Sequence, residues 1–348
     1  MPDSESARGN PTLRSLAIGA RCSLATVSYA LRGDSRIAPE TRARVLAEAK
    51  RQGYRINPLV ATLMSQIRAA NPPIHAGVIA GITWWRSAGP ELNPVANAAF
   101  WRGAAARAEA LGWMLEEFRA DTPEGTPDRL RRLLRARGVP GLLVTPLPQA
   151  GTRFEMEVAD FASAAWGYSP AHLSMHRACI HHGRAMALAW EQASRMGFKR
   201  IGLVIADHQG LRTEHLWETN YQVQQRRVPA GRRLPPLILN GLRWSSPLRE
   251  WFTRQRPDVI LTPLPLRPLL RQLTKAAAAV PLIDLDRTPG GPRRAGIDQR
   301  HGEVGAAAID LIVGQLHANE RGTPSAPKLV LMEGRWVEGP LEGPPGCG

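Results

Sequence analysis

Cysteine and long apolar runs are both scarce in this chain of 348 residues. Its three cysteines, at positions 22, 179 and 347, form no CxxC pair, and an odd number argues against a disulfide framework. The first residues lack the apolar core of a signal peptide, and no apolar run approaches the ~18 residues that span a bilayer. We therefore expect a protein of the reducing cytoplasm that makes no membrane contact.

Signatures of the common enzyme classes are missing as well. The chain has no G-x-S-x-G elbow, no Walker loop and no H-E-x-x-H motif, and the glycine pair 290–291 lies in a loop rich in Pro and Arg. Histidines and a cysteine in segment 172–182 raise the alternative of a metal site, since His172 and His176 are one helical turn apart. Pro170 argues against a regular helix, and the segment contains no carboxylate. We expect a connecting loop that enters a helix at 183, with no metal, no cofactor and no enzyme activity.

Acidic residues are few relative to basic ones. Lys and Arg number 45 against 30 Asp and Glu, which gives a formal net charge of +15. A polyanionic partner suits such a chain, because each neutralised phosphate releases condensed counterions. Nearly all the excess is arginine, so solubility or codon usage in a GC-rich genome explains it equally well. Charge alone leaves both interpretations open.

Residues 12–53 contain three short amphipathic segments. Thr12 and Ser23 are suited to cap the first two helices, and Pro39 to begin a third helix that ends at Gly53. The apolar stripes that would form a small core are Leu13, Leu16, Ala17 and Ala20, then Val27, Ala30 and Leu31, then Val45, Leu46 and Ala49. Residues 57–64 predict one more helix, which needs outside support because so short a helix is marginal in water.

After the stiff segment 71–74, strand-like and helix-like stretches alternate. This alternation predicts a parallel sheet covered by helices, with polar groups at the carboxyl ends of the strands where ligands of such sheets bind. The predicted strands are 75–83, 113–118, 141–147, 199–207, 258–264, 280–286 and 328–334, and the predicted helices are 97–111, 127–137, 181–198 and 303–316.

Residues 12–33 resemble the DNA-binding head of the lactose-repressor (LacI/GalR) family, and the likeness continues through residues 39–63. The positions in matching register are Thr12, Leu13, Leu16, Ala17, Ala20, Ser23, Thr26, Val27, Ser28 and Leu31. The resemblance implies an all-α helix-turn-helix head at 1–56, a hinge helix and linker at 57–74, and a tail at 341–348. Between them, at 75–340, it implies a two-lobed α/β domain like type I periplasmic binding proteins, which binds an effector and dimerises.

Roles at the DNA follow from that resemblance. Leu24 and Ala25 match positions that vary with the operator, Arg36 matches a base-contacting position, and Leu63 matches a leucine that wedges the minor groove open. Three residues depart from the pattern, Ser15, Arg21 and Tyr29, and the last lies on the recognition helix. The implied DNA-binding set is Thr12, Ser23, Leu24, Ala25, Thr26, Ser28, Tyr29, Arg36, Tyr54, Asn57, Leu63 and Met64. Two alternatives stay open: a three-helix fragment with a solvated basic face, and Leu63 packing on the body of the protein.

The second domain is expected to bind a sugar or sugar derivative between its lobes. Aromatic faces and carboxylates suit a sugar, which presents both C–H faces and hydroxyls. The candidate effector residues are Trp84, Phe100, Trp166, Asp207, Arg212 and Asp286, although packing explains such residues equally well. The function expected is a homodimeric repressor that binds a palindromic double-stranded operator. The alternative is a periplasmic-type sugar-binding protein without a DNA role.

Overall fold

The computed structural model describes most of the chain, with several gaps. The described residues are 13–31, 37–54, 77–84, 93–122, 125–147, 153–169, 174–241, 243–287 and 294–341. Among them, no helix combines the length and the apolar character needed to cross a bilayer. The predicted hinge helix lies outside these residues.

Three helices form the N-terminal head. They are α1 (Leu13–Gly19), α2 (Leu24–Leu31) and α3 (Pro39–Gln52). Leu16, Val27 and Val45 contribute one fully buried side chain from each helix, so the predicted stripes meet in one small core. Pro39 begins α3 as predicted, and Gly53 ends it with a left-handed φ of 66° that favours glycine.

Lobe 1 is built on a six-stranded parallel sheet in the order β2-β1-β3-β4-β5-β11. Its strands are β1 (Val78–Thr83), β2 (Met114–Arg119), β3 (Gly141–Val144), β4 (Ala162–Trp166), β5 (His176–Ile180) and β11 (Leu329–Met332). Its helices are α4 (Pro94–Ala110), α5 (Pro127–Ala136) and α12 (His301–Ala318). The near-continuous apolar strands are those of a sheet covered on both faces.

Lobe 2 repeats this arrangement in the order β7-β6-β8-β9-β10-β12, with only β12 antiparallel. Its strands are β6 (Ile201–Ala206), β7 (Leu237–Leu239), β8 (Val259–Thr262), β9 (Leu282–Arg287), β10 (Gly296–Asp298) and β12 (Arg335–Val337). Its helices are α6 (His182–Arg195), α7 (Asp207–Arg212), α8 (Leu216–Gln225), α9 (Ser245–Gln255), α10 (Arg267–Arg271) and α11 (Lys275–Ala279), and Ala230–Arg232 form a 3-10 turn.

The chain passes between the lobes three times. It leaves lobe 1 between Ile180 and His182, returns between Asp298 and His301, and leaves again between Met332 and Arg335. Helix α12 therefore packs against α4 of lobe 1, although β10 of lobe 2 precedes it. These crossings give the two-lobed α/β fold that the resemblance implies, and they place the carboxyl ends of both sheets at the boundary between the lobes.

The prediction of a connecting loop over 172–182 is wrong, because His176–Ile180 form the strand β5 inside the sheet. A buried histidine fits this strand because the ring Nδ1 of His176 accepts a hydrogen bond from the Lys328 backbone at 2.9 Å. Burial also lowers the pKa of His176 and so favours the neutral ring. The helix that follows begins at His182, close to the predicted start.

Candidate DNA-binding head and inter-lobe cleft

Ser23 fixes the exposed N-terminal end of α2, as a capping residue. Its Oγ accepts from the Thr26 backbone at 3.0 Å and lies 2.8 Å from Thr26 Oγ1. Leu24, the first residue of the helix, is 51% exposed, which leaves an apolar side chain at the end that enters a major groove in helix-turn-helix proteins. This end of α2 is the candidate base-reading surface.

Two of the three departures from the family pattern have a structural role here. Ser15 Oγ donates to Gln52 Oε1 at 2.6 Å, and Gln52 Nε2 donates to the Ser15 carbonyl at 3.2 Å, which ties α1 to α3. Arg21 lies in the turn between α1 and α2 with a φ of 51°, a conformation that favours glycine. The third departure, Tyr29, lies half-buried on α2.

The other predicted DNA contacts divide between described and undescribed positions. Tyr54 is half-buried and packs against the head core, directly after the end of α3. Thr12, Arg36, Asn57, Leu63 and Met64 lie outside the described residues, as do the side chains of Ala25 and Ser28. Their roles stay predictions.

Asp286 joins the two lobes at the carboxyl end of β9. Its Oδ2 accepts from Asn93 Nδ2 at 3.1 Å, and its Oδ1 lies 2.7 Å from Nε2 of His301, the first residue of α12. Asn93 also caps α4, since its Oδ1 accepts from the backbone of Val95 and Ala96 at 3.1 and 3.2 Å. One carboxylate thus contacts the N-terminal ends of two helices, where the helix dipole favours negative charge.

The predicted aromatic residues of lobe 1 are mostly packed against other side chains. Phe100 and Trp166 stack on each other, with ring centroids 3.9 Å apart and planes 7° from parallel, and both are buried in lobe 1. The edge of Trp166 approaches His301 at 6.0 Å. Trp84 instead packs edge-on against Phe154 in a different part of lobe 1. Trp166 thus contacts His301, the residue that binds Asp286.

Arg212 makes a second contact across the cleft. Its Nη1 donates to the Leu147 carbonyl at 2.8 Å, so a guanidinium of lobe 2 reaches the loop that follows β3 of lobe 1. Asp207 begins α7 directly after β6 and is half-buried. Both lie at the carboxyl edge of the lobe 2 sheet, the edge that faces lobe 1.

Sequence reasoning missed several cleft residues. His182 packs against Trp217 with ring centroids 4.7 Å apart and against Tyr168 at 5.7 Å. Burial lowers the pKa of His182 to about 3, so its ring is neutral. Glu218 follows Trp217 on α8, and its Oε1 lies 3.0 Å from His215 Nδ1. The sequence signal that could have identified these residues was the junction between a strand and a helix at His182. Predicting a loop over 172–182 meant that this junction was not recognised.

Four buried polar atoms of the cleft have no hydrogen-bond partner within the described part of the chain. They are Asn97 Nδ2, His182 Nδ1, Glu218 Oε2 and His301 Nδ1. Leaving a buried polar group unsatisfied costs about 1–3 kcal/mol, so a hydrogen-bonding molecule at these atoms would be stabilised. A surface groove of about 560 Å³, lined by residues such as Phe252, Arg256 and Val280, lies elsewhere in lobe 2.

The head region matches a known family. Residues 12–57 fit the model of the bacterial regulatory proteins of the lacI family. The head is therefore similar to the DNA-binding heads of that family. This match gives the chain a DNA-binding head of the kind found in bacterial regulatory proteins. The alternative of a sugar-binding protein without a DNA role is not favoured.

Solved structures of transcriptional regulators and repressors are similar in fold over three quarters or more of this chain. A CelR transcriptional regulator in complex with cellobiose is 15% identical, with a TM-score of 0.52, over 96% of this chain and 99% of that one. A lac repressor dimer bound to operator and the anti-inducer ONPF is 17% identical, with a TM-score of 0.50, over 95% and 98%. The trehalose repressor of Escherichia coli is 13% identical, with a TM-score of 0.54, over 75% and 99%. No curated protein matches the sequence.

Proposed function

We propose that this protein is a cytoplasmic, homodimeric repressor that binds a palindromic operator and responds to a sugar or sugar derivative held between its lobes. The lacI-type head with its capped, exposed α2 end supports the DNA part. A two-fold protein reads two half-sites, one head on each. The operator-bound dimer among the structures of similar fold supports this assembly.

The unpartnered polar atoms of the cleft support the effector part. Asn97 Nδ2 is a donor and Glu218 Oε2 is an acceptor, and both are buried. A hydroxyl can both donate and accept, so a neutral polyol satisfies such a mixed set without adding net charge. Cellobiose and the anti-inducer ONPF are bound by proteins of similar fold. We therefore place the effector beside Asp286, His182 and His301.

Selection of bound duplexes from a random DNA pool tests the DNA part directly. We expect the full-length protein to return a palindrome whose half-sites are read by the two heads. A pool that stays unenriched at every salt concentration would contradict sequence-specific binding and leave only electrostatic attachment.

The Leu63→Ala substitution tests the wedge that the resemblance implies. We expect it to weaken binding of the selected duplex about tenfold or more. An apolar wedge unstacks a base step at an energetic cost, and the bent DNA then makes more contacts with the protein that offset this cost. Binding of a random duplex should change far less, since that binding rests on phosphates. The two affinities are measured by fluorescence anisotropy on the same duplex length. An equal loss on both duplexes would instead support packing of Leu63 on the protein body.

Asp286→Ala tests the effector site. We expect it to weaken effector binding about tenfold or more, since hydrogen bonds to a charged group contribute about 1.5–3 kcal/mol. The probe is a panel of neutral disaccharides that includes cellobiose and trehalose, measured by calorimetry and by the rise in Tm. Asp310→Ala is the matched control, because Asp310 holds only an exposed ion pair with Arg107.

The outcomes separate the two parts of the proposal. Equal affinities in Asp286→Ala and Asp310→Ala would place the effector elsewhere. A panel in which no sugar binds the wild-type protein would contradict the sugar class while leaving the DNA part intact.

A further inference from the structure

Lobe 2 carries a cluster of basic residues at the end opposite the cleft. They lie where β6, β7 and β8 begin, whereas the cleft lies at the carboxyl ends of the strands. The residues are Lys199, Arg200, Arg226, Arg227, Arg232, Arg233 and Arg256, and we call this set the basic end. The chain enters lobe 1 at Gly77, also at the amino end of its sheet, so the cleft lies between the entry point and the basic end.

Arg200 connects the three loops that form the basic end. Its guanidinium donates to the Gly231 carbonyl at 2.8 Å, to the Arg256 carbonyl at 3.2 Å and to the Gln255 carbonyl. Arg233 holds its own loop through the Val228 carbonyl at 3.0 Å. These bonds fix the loops next to one another, so the cations form one surface.

This surface is not neutralised by its neighbours in the described part of the chain. Its loops contain one carboxylate, Asp258, whose oxygens accept from the backbone of Lys199 and Arg200 at 2.7 and 3.0 Å. The side-chain hydrogen bonds of Arg200 and Arg233 go to neutral carbonyl oxygens and not to a carboxylate. Arg226, Arg232 and Arg256 are exposed and have no carboxylate partner among the described residues.

Codon usage or solubility does not account for this placement. A general excess of arginine spreads over the surface and meets carboxylates, as in the pairs Arg195–Glu191 and Arg254–Glu250 nearby. Crowding seven cations on adjacent loops costs repulsion and favours an anionic partner. Residues 1–70 carry eleven of the basic and five of the acidic side chains, so much of the net charge of +15 lies outside the head.

We propose that the basic end binds the phosphate backbone of a second DNA duplex, so that one molecule holds two DNA segments. Guanidinium groups bind phosphate through two parallel N–H donors, and backbone contacts need no base reading. The loops present Pro229, Ala230 and Gly231 between their cations, and the neighbouring aromatic side chains Phe198 and Phe252 are each partly buried. Seven cations beside one carboxylate suit the closely spaced phosphates of a DNA duplex.

The test uses the full-length protein and two triple variants of equal charge. Arg226, Arg232 and Arg256 are changed to Gln in one, and the exposed lobe 1 residues Arg129, Arg132 and Arg153 in the other. Protein is bound through its heads to an immobilised duplex from the random-pool selection, unbound protein and DNA are washed away, and capture of a labelled random duplex is measured. Both variants should bind the first duplex like wild type.

We expect the basic-end variant to capture the second duplex at least tenfold more weakly than wild type, with the lobe 1 variant unchanged. The slope of log K for the second duplex against log salt should become shallower by about 3, because each lost phosphate contact removes roughly 0.9. Equal capture by the two variants would overturn the proposal. If both variants also captured the second duplex as well as wild type does, an acidic protein would be the better candidate partner of the basic end. Loss of operator preference with second-duplex capture intact would instead count against the proposed function alone.

Discussion

Leu16→Ala is expected to abolish DNA binding while leaving the two lobes folded. Leu16 is fully buried at the centre of the head, where it packs with Val27 and Val45. Removing a buried leucine side chain costs about 2–5 kcal/mol, and a three-helix unit this small has little stability to spare. The head should therefore unfold, and the ordered end of α2 disappears with it.

Ile18→Ala is the matched control for Leu16→Ala. Ile18 lies on the same helix but is 74% exposed, so its truncation should change stability by less than about 0.5 kcal/mol. Gel shift on the selected duplex measures binding, and differential scanning calorimetry follows the lobes. Wild-type affinity in Leu16→Ala, or an equal loss in Ile18→Ala, would show that the head core does not position the recognition helix.

Gly305→Ala is expected to destabilise lobe 1 by about 3 kcal/mol. A Cβ at this position of α12 would lie 2.3 Å from the Phe100 carbonyl oxygen and 2.9 Å from the Ala104 nitrogen, both backbone atoms of α4. Because backbone atoms cannot rotate away, the two helices must separate. We therefore expect the loss of folding free energy to lie at the upper end of the roughly 1–3 kcal/mol that overpacking usually costs. We expect Tm to fall by roughly 6–12 °C.

Gly314→Ala on the same helix should have the opposite sign. A Cβ there meets nothing within 4 Å. Replacing an exposed helical glycine with alanine stabilises by about 0.5–1 kcal/mol, because the unfolded chain loses freedom. Thermal unfolding of both variants gives the comparison, and shifts in the same direction would mean that the close approach of α4 and α12 does not set the stability of lobe 1.

The head and the strand–helix alternation were within reach of sequence analysis. The stripes of Leu16, Val27 and Val45 recur at helical spacing, and Ser23 and Gly53 stand where a cap and a stop are needed. These are local signals, since each depends on residues within a few positions of one another. The pattern of apolar residues did not predict β4 and β5. Both strands are buried, but the polar residues Ser163 and His176 interrupt their apolar sequences.

The cleft was only partly predictable from the sequence. Asp286 was named for its place at a strand end, and the structure gives it contacts with Asn93, 193 positions earlier, and with His301. Phe100 and Trp166 were named as candidate effector residues, and the structure shows their rings stacked on each other. His182 and Glu218 were not named, because no local pattern distinguishes a buried cleft residue from an exposed loop residue.

The amino-acid sequence by itself determined the class of protein: a lacI-type head, followed by repeated strand–helix units whose carboxyl edges hold the polar residues. It did so because capping, apolar period and motif spacing are properties of neighbouring positions. Only the tertiary structure decided which strand ends meet, how closely α4 and α12 approach, and that seven cations share one end of lobe 2. Those features depend on packing between residues far apart in the chain, which burial and steric exclusion select only once the lobes have formed.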